Sequence, residues 1–351
     1  MVGVGPLLIF DKSFLHMLNS EELFELSLHF FFVGTPTLIR EIISDLKKKP
    51  ASRHLPEDVV KSLAAKMGTA HGIQPANFRK LAIGNLCGAD VPMFGQVPVD
   101  PSAPNVRVSR DGRGLLYDSV PEQRMWARWA SGDFTTDDEQ TATAWRDGLE
   151  KVNLRAIGDQ WKEFARQHFG SARNLTELIA QVDGILSDPR PDIQLEVLGI
   201  TLSFLHAPTL IKNLVFKRLL GRPGFLAKEL APYASSIVRL YLTFIGGLAR
   251  GFIGPRPSHY LDLQYLFYVP FCMVFVSADK FHREMWRATS GINTFVWGED
   301  LKSDLASRVT VRKQMTTKER KVKAKQYGLY PVEVEGSVIS DVWRRYMRPK
   351  E

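Results

Sequence analysis

Several carboxylates in this 351-residue chain follow apolar segments at positions where they could bind a cation. Asp11 ends the apolar run "LLIF", and Asp279 comes just after "CMVFVS", so each acid follows a segment that reads as a buried strand. Ligands of open parallel sheets bind outside the carboxyl ends of the strands, so both acids would enter one crevice. Glu41 and Asp45, four residues apart, are neighbours at the edge of the apolar stripe of a helix. Asp262 stands among Leu261, Leu263 and Tyr265, where a carboxylate needs a cation or hydrogen bonds. Each acid alone can be read as a turn residue, a cap or a solvated helix position. Together in one crevice they would raise one another's pKa unless a divalent ion kept them ionised. Oxygen donors without His or Cys support point to Mg2+ or Mn2+.

The elements that must carry these acids lie at the two ends of the chain. After the first strand, Ser20 followed by Glu21 and Glu22 reads as the capped start of a helix running toward His29. "FFFVGTP" reads as a second buried strand leading into a helix with Pro36 in its first turn. That helix carries Leu38, Ile39, Ile42, Ile43 and Leu46 on one stripe. The alternation stops near residue 50 and resumes near 256, with a helix ended by Pro270, the strand "CMVFVS", the helix "ADKFHREMWRAT" and the strand "NTFVW". The fold class is therefore α/β with a mainly parallel sheet built from both chain ends. Residues 1–49 and 256–300 form its halves, 50–255 a mostly helical insertion, and 301–351 a basic C-terminal extension. A hairpin is expected near 105–119, around Asp111-Gly112, and a capping box at Thr136 and Glu139.

Composition narrows the class. A hydrophobic content of 44% suits a globular protein, and the net charge of +8 favours a polyanionic partner. The two cysteines, Cys87 and Cys272, are too far apart to read as a disulfide framework, which fits a reducing cytoplasm. The start of the chain lacks the pattern of a signal peptide. The most lipid-like stretch, around Ile237, Tyr241, Phe244 and Leu248, is broken by Arg239 and Arg250 and reads as a core helix, so no membrane is expected.

The segments "LLIFDKSFL", "TPTLIREIISDL" and "DLQYLFYVPFCMVFVSADKF" resemble, in order, the acidic motifs of the PIN-like nucleases. The likeness covers about a quarter of the chain, residues 7–48 and 258–298. It implies a three-layer α/β/α domain and a Mg2+- or Mn2+-dependent nuclease acting on RNA or DNA, with RNA the favoured substrate. Asp11, Glu41, Asp262 and Asp279 match the family acids, and Asp45 is a further ligand candidate. Metal ions there would activate a water and neutralise charge on the scissile phosphate. The chain departs from compact members in its insertion of roughly two hundred residues and in Lys12, where many carry a small polar residue; Ser13 is the candidate to replace it.

Lys12 and Lys280 each follow a proposed ligand and could offset carboxylate charge or touch a phosphate. "RKQMTTKERKVKAK", with Arg312, Lys313, Lys318, Arg320 and Lys321, could hold nucleic-acid phosphates or be an ordinary solvated helix. Arg107, Arg110 and Arg113 would extend that surface, and Trp126, Trp129 and Trp145 would stack bases or sit in the core. A haloacid-dehalogenase-like site is excluded by Ser13, where a second Asp is required. "GRPGFLAK" lacks the Gly-Lys-Ser/Thr ending of a phosphate loop. The histidines show no paired zinc spacing, and His282 reads as a surface residue or a support for the acids. The alternative reading is a non-catalytic nucleic-acid-binding or protein-interaction module on the same scaffold, its helical insertion meeting a protein partner. Oligomeric state is not legible in the sequence.

Overall fold

The computed structural model describes residues 5–49, 55–69, 72–109, 115–220, 226–289, 293–327, 331 and 334–347. β1 (Leu7–Phe10) is apolar throughout because it is central: Leu8, Ile9 and Phe10 are all buried, covered on both faces. The chain continues through α1 (Lys12–Met17), α2 (Ser20–His29), β2 (Phe31–Val33), α3 (Pro36–Ser44), a 3-10 turn at Asp45–Lys47, α4 (Pro56–Thr69), β3 (Gly72–Ile73) and α5 (Phe78–Leu86). One expected helix start shifts by a residue: Asn19, not Ser20, caps α2 in a capping box with Glu22. Pro36 opens the first turn of α3 as expected, with Thr35 as its cap.

A small hairpin of β4 (Val106–Val108) and β5 (Leu115–Tyr117) follows, as expected; its Asp111-Gly112 tip, with Arg110 and Arg113, lies outside the described residues. Among the described residues, nine helices then build most of the former insertion: α6 (Val120–Ser131), α7 (Thr136–Glu150), α8 (Leu154–Gln160), α9 (Lys162–Phe169), α10 (Leu175–Leu186), α11 (Pro191–Phe204), α12 (Thr209–Leu220), α13 (Ala227–Leu230) and α14 (Pro232–Arg250). The capping box of α7 is formed by Thr135 and Asp138. α14 is the expected core helix, with Ile237 and Phe244 buried, and among the described residues no helix is long and apolar enough to cross a membrane.

The chain returns through α15 (Ser258–Leu266), a 3-10 turn at Val269–Phe271, β6 (Val274–Ser277), α16 (Lys280–Thr289), β7 (Thr294–Trp297), α17 (Gly298–Gln314), α18 (Thr317–Tyr327) and α19 (Val338–Tyr346). The five-stranded sheet has the order β3-β2-β1-β6-β7, and every pairing is parallel. Leu8 is paired with Phe32 on one side and with Val274 on the other. The two ends of the chain therefore meet along β1, as the sequence indicated.

Two boundaries differ from the expectation. The sheet takes a fifth strand, Gly72–Ile73, from the segment read as insertion; at two residues it is too short to leave a periodic signal. The C-terminal region is also built into the fold rather than appended to it. Asp304 on α17 accepts hydrogen bonds from the Ser337 hydroxyl (2.7 Å) and the Ile339 amide (2.9 Å), and Trp343 on α19 donates its indole N–H to the His29 carbonyl (2.9 Å). Asp304 is paired with Arg308 in this buried network. Asp304→Ala is expected to cost roughly 3–5 kcal/mol, because it leaves a buried guanidinium uncompensated. Urea denaturation measures it, and a loss below about 1 kcal/mol would show that α19 is only loosely attached.

Candidate functional site: an acidic cluster at the sheet edge

The strand order reverses direction between β1 and β6, so the loops leaving these two strands diverge and open a crevice at their carboxyl ends. Asp11 leaves β1 at that point, and Ser277 is the last residue of β6. Asp11 caps α1, accepting the Phe14 amide on Oδ1 (2.9 Å), while Oδ2 accepts the hydroxyls of Ser13 (2.7 Å) and Ser277 (2.6 Å). Ser13 thus supports Asp11 directly. Asp279 Oδ1 accepts the Phe281 amide (2.7 Å) at the start of α16, the capping role that the bland reading gave it.

His282, expected at the surface or as a support, is wholly buried at the centre of the group. Hydrogen counting fixes its charge. Nε2 lies 2.8 Å from the Asp262 carbonyl oxygen, which can only accept, so Nε2 carries a proton. Ser277 gives its single hydroxyl proton to Asp11 and accepts from the Asp279 amide (2.9 Å), so its contact with Nδ1 at 2.8 Å requires a proton on Nδ1 as well. His282 is therefore an imidazolium, 3.3 Å from Asp11 Oδ2. Its pKa follows: burial pushes it down, but the hydrogen bond to Asp11 and the charges of Asp262 and Asp11 prevail and lift it to about 9. For Asp11, burial pushes upward, and the hydrogen bond and charge of His282 with the Ser277 and Phe14 bonds overcome it, holding the carboxyl below its ordinary value. Ser277 is fully buried, so its link to a His and an Asp is a structural relay and not an exposed nucleophile.

Across the crevice, Glu41 accepts the Tyr265 hydroxyl on Oε2 (2.6 Å) and faces Lys12 through Oε1 (3.4 Å). Asp45, 3% exposed, takes Lys12 at 3.0 Å, with Arg146 at 3.6 Å. Lys12 thus offsets carboxylate charge within the protein, its ammonium held between Glu41 and Asp45. Burial pushes the Lys12 pKa down, but Glu41 and Asp45 raise it on balance.

Asp262 is the acid left without such support. No described residue donates a hydrogen bond to its carboxylate, and its pKa is raised to about 7, first by burial and then by Asp279, Glu41 and Asp11, against the opposing charge of His282. The four acids therefore feel one another at one sheet edge. Their arrangement stops short of a coordination shell: among the described residues no three His, Cys, Asp or Glu side chains are placed to hold a metal ion. The donor set suits a hard cation in type, since it is all carboxylate oxygen. Its charge is offset in part by Lys12 and His282.

The basic residues divide. Arg312 is paired with Glu25 (2.7 Å) and stacks over Phe24, and Lys313 is paired with Glu21 (2.7 Å). Lys280, Lys318, Arg320 and Lys321 are exposed. Trp126 and Trp129 belong to the core, whereas Trp145 is only partly buried. A well-formed cavity beside the cluster does not enclose the acids; it is walled in part by Tyr260, Leu261 and Gln264 of the helix that carries Asp262. The signal for the buried cations was present in the sequence as Lys12 next to Asp11 and His282 five residues after Ser277, but neither spacing reveals which way the side chain turns.

No family model matches this chain, and neither a curated protein nor a solved structure matches it. Fold and site together define a parallel α/β protein with a carboxylate cluster at its topological switch point.

Proposed function

We propose that the protein is a Mg2+- or Mn2+-dependent nuclease that hydrolyses phosphodiester bonds, RNA before DNA, on a PIN-like scaffold. The observation that carries this reading is the Asp262 carboxyl, brought to about 7 by burial and by three neighbouring acids at the edge where parallel sheets bind ligands. A carboxyl near neutrality is suited to take a proton from an attacking water. Asp11 is locked in place by Ser13, Ser277 and Phe14, and His282 keeps it ionised. Tyr265 fixes the Glu41 carboxylate. Asp11, Glu41, Asp262 and Asp279, which as placed form no coordination shell, would have to close together to hold the ion, which when bound supplies Lewis acidity and offsets phosphate charge. The exposed Lys280, Lys318, Arg320 and Lys321 would meet the nucleic-acid backbone, with affinity falling as salt rises.

The second reading, a non-catalytic binding module on the same scaffold, is favoured by one specific observation: Lys12 and His282 already compensate the acids from within. End-labelled RNA and single-stranded DNA incubated with Mg2+, Mn2+ or EDTA separate the two. Cleavage that needs metal and is lost in Asp279→Asn supports the nuclease. Salt-sensitive retention without cleavage in either metal supports the module.

A further inference from the structure

A cavity of about 870 Å3 opens between the sheet domain and the helices, in the size range of small-molecule sites. Its chemistry is one-sided. Arg40, Arg79 and Lys151 line it, no Asp or Glu does, and none of the three cations makes an ion pair among the described residues. Its apolar wall is aromatic: Trp145 lies against the Arg40 guanidinium (5.4 Å to the ring centre), and Tyr241 stacks on Phe204 with ring centres 4.0 Å apart. The Trp145 indole N–H is buried without a partner. Gln264 is only 8% exposed, yet its side-chain amide makes no hydrogen bond to any described residue and stands in the cavity wall.

We infer that this cavity binds a nucleotide, its base stacked on the aromatic wall and read by Gln264, its phosphate held by the arginines and the lysine. The Gln264 amide stays open to the cavity and offers a donor and an acceptor together, the pattern that matches the edge of a nucleobase. Flat rings stack on any base, and unpaired guanidinium groups are suited to phosphate. A simple aromatic acid would satisfy the cations and leave Gln264 unmet. Two helices connect the cavity to the acidic cluster, since Arg40 precedes Glu41 on α3 and Leu261 precedes Asp262 on α15. Taken with the nuclease reading, on which only this extension rests, the cavity receives one unstacked base of a single-stranded substrate.

The test is titration of the full-length protein with the four ribonucleoside monophosphates and with inorganic phosphate, followed by calorimetry and by tryptophan fluorescence. Saturable binding of one nucleotide per chain is expected, with inorganic phosphate at least about tenfold weaker. Gln264→Leu should weaken binding about tenfold and flatten the preference among bases, and Arg79→Gln should weaken all four alike and reduce the salt dependence. Thermal melting confirms that each variant is folded. Asp11→Asn, which lies outside the cavity, should bind as the parent does; nucleotide binding by a parent protein that cleaves no nucleic acid in either metal would sink the nuclease and leave this site standing. The site is overturned if no nucleotide saturates the protein at millimolar concentration. It is equally overturned if both cavity variants bind like the parent, or if phosphate alone binds as tightly as the nucleotides.

Discussion

Asp262→Asn should make the protein more stable above pH 7 while removing the proposed cleavage activity. The folded-state pKa of Asp262, about 7, lies above its ordinary value of 3.8, so the fold favours the protonated carboxyl. Its contribution to stability is complete below about pH 4, falls as pH rises toward 7 and stays low beyond it. At pH 8 the ionised group costs on the order of a few kcal/mol, since each pKa unit corresponds to about 1.4 kcal/mol. Asparagine keeps the shape without the charge. The variant should melt above the parent at pH 8 and together with it near pH 4, and saturating Mg2+ should narrow the gap by stabilising only the parent. Cleavage should fall on the order of 100-fold or more, the scale of a lost acid–base group. Asp11→Asn should also lose activity, but with lower stability, because His282 then loses the carboxylate it faces. If Asp262→Asn were less stable than the parent at pH 8, the proposed repulsion among the acids would be wrong.

His282→Leu is expected to destabilise the protein by roughly 3–5 kcal/mol at pH 6, as one buried charge is removed and its partner stranded. The folded pKa of His282, about 9, is above its ordinary 6.5, so its stabilising contribution is full below about pH 6.5 and disappears as pH rises through 9. Asp262 and His282 interact, so their titrations should be treated as belonging to the pair. Both shifts have the same sign: this site favours folding most strongly near pH 4 and progressively less up to pH 9. Below pH 4 the lowered pKa of Asp11 reverses the trend, because protonating it removes a carboxylate that the fold prefers ionised. Melting curves of parent and variant between pH 4 and 9 should converge at the alkaline end. A gap as wide at pH 9.5 as at pH 6 would mean that packing, not charge, accounts for the role of His282.

Four strands of the sheet were legible because they are hydrophobic runs followed by polar breaks. Leu7–Phe10, Phe31–Val33, Val274–Ser277 and Thr294–Trp297 all form, and they join in one parallel sheet. Gly72–Ile73 was not legible, since two residues pairing with Phe32 and Val33 leave no periodicity to detect. Asp11, Glu41 and Asp279 come within electrostatic reach of Asp262, yet among the described residues no three acids are placed to hold a metal ion, a distinction that strand ends and helix positions cannot make. Their internal compensation escaped as well. A lysine beside an acid reads as surface charge, and only tertiary packing turns Lys12 toward Asp45 or draws His282 beneath the sheet edge. The cavity was equally hidden, because Arg40, Trp145 and Gln264 come from segments with no sequence relation to one another.

The central position of β1 also sets the timetable of biosynthesis. Its neighbour β6 leaves the ribosome some 260 residues later, which at roughly 5–20 residues per second is tens of seconds. Throughout that interval β1 has a bare edge of unpaired amides and carbonyls, in a segment as apolar as any in the protein. The nascent chain must therefore either shield that edge with its own emerging helices or depend on a chaperone, and chains terminated early should accumulate as aggregates.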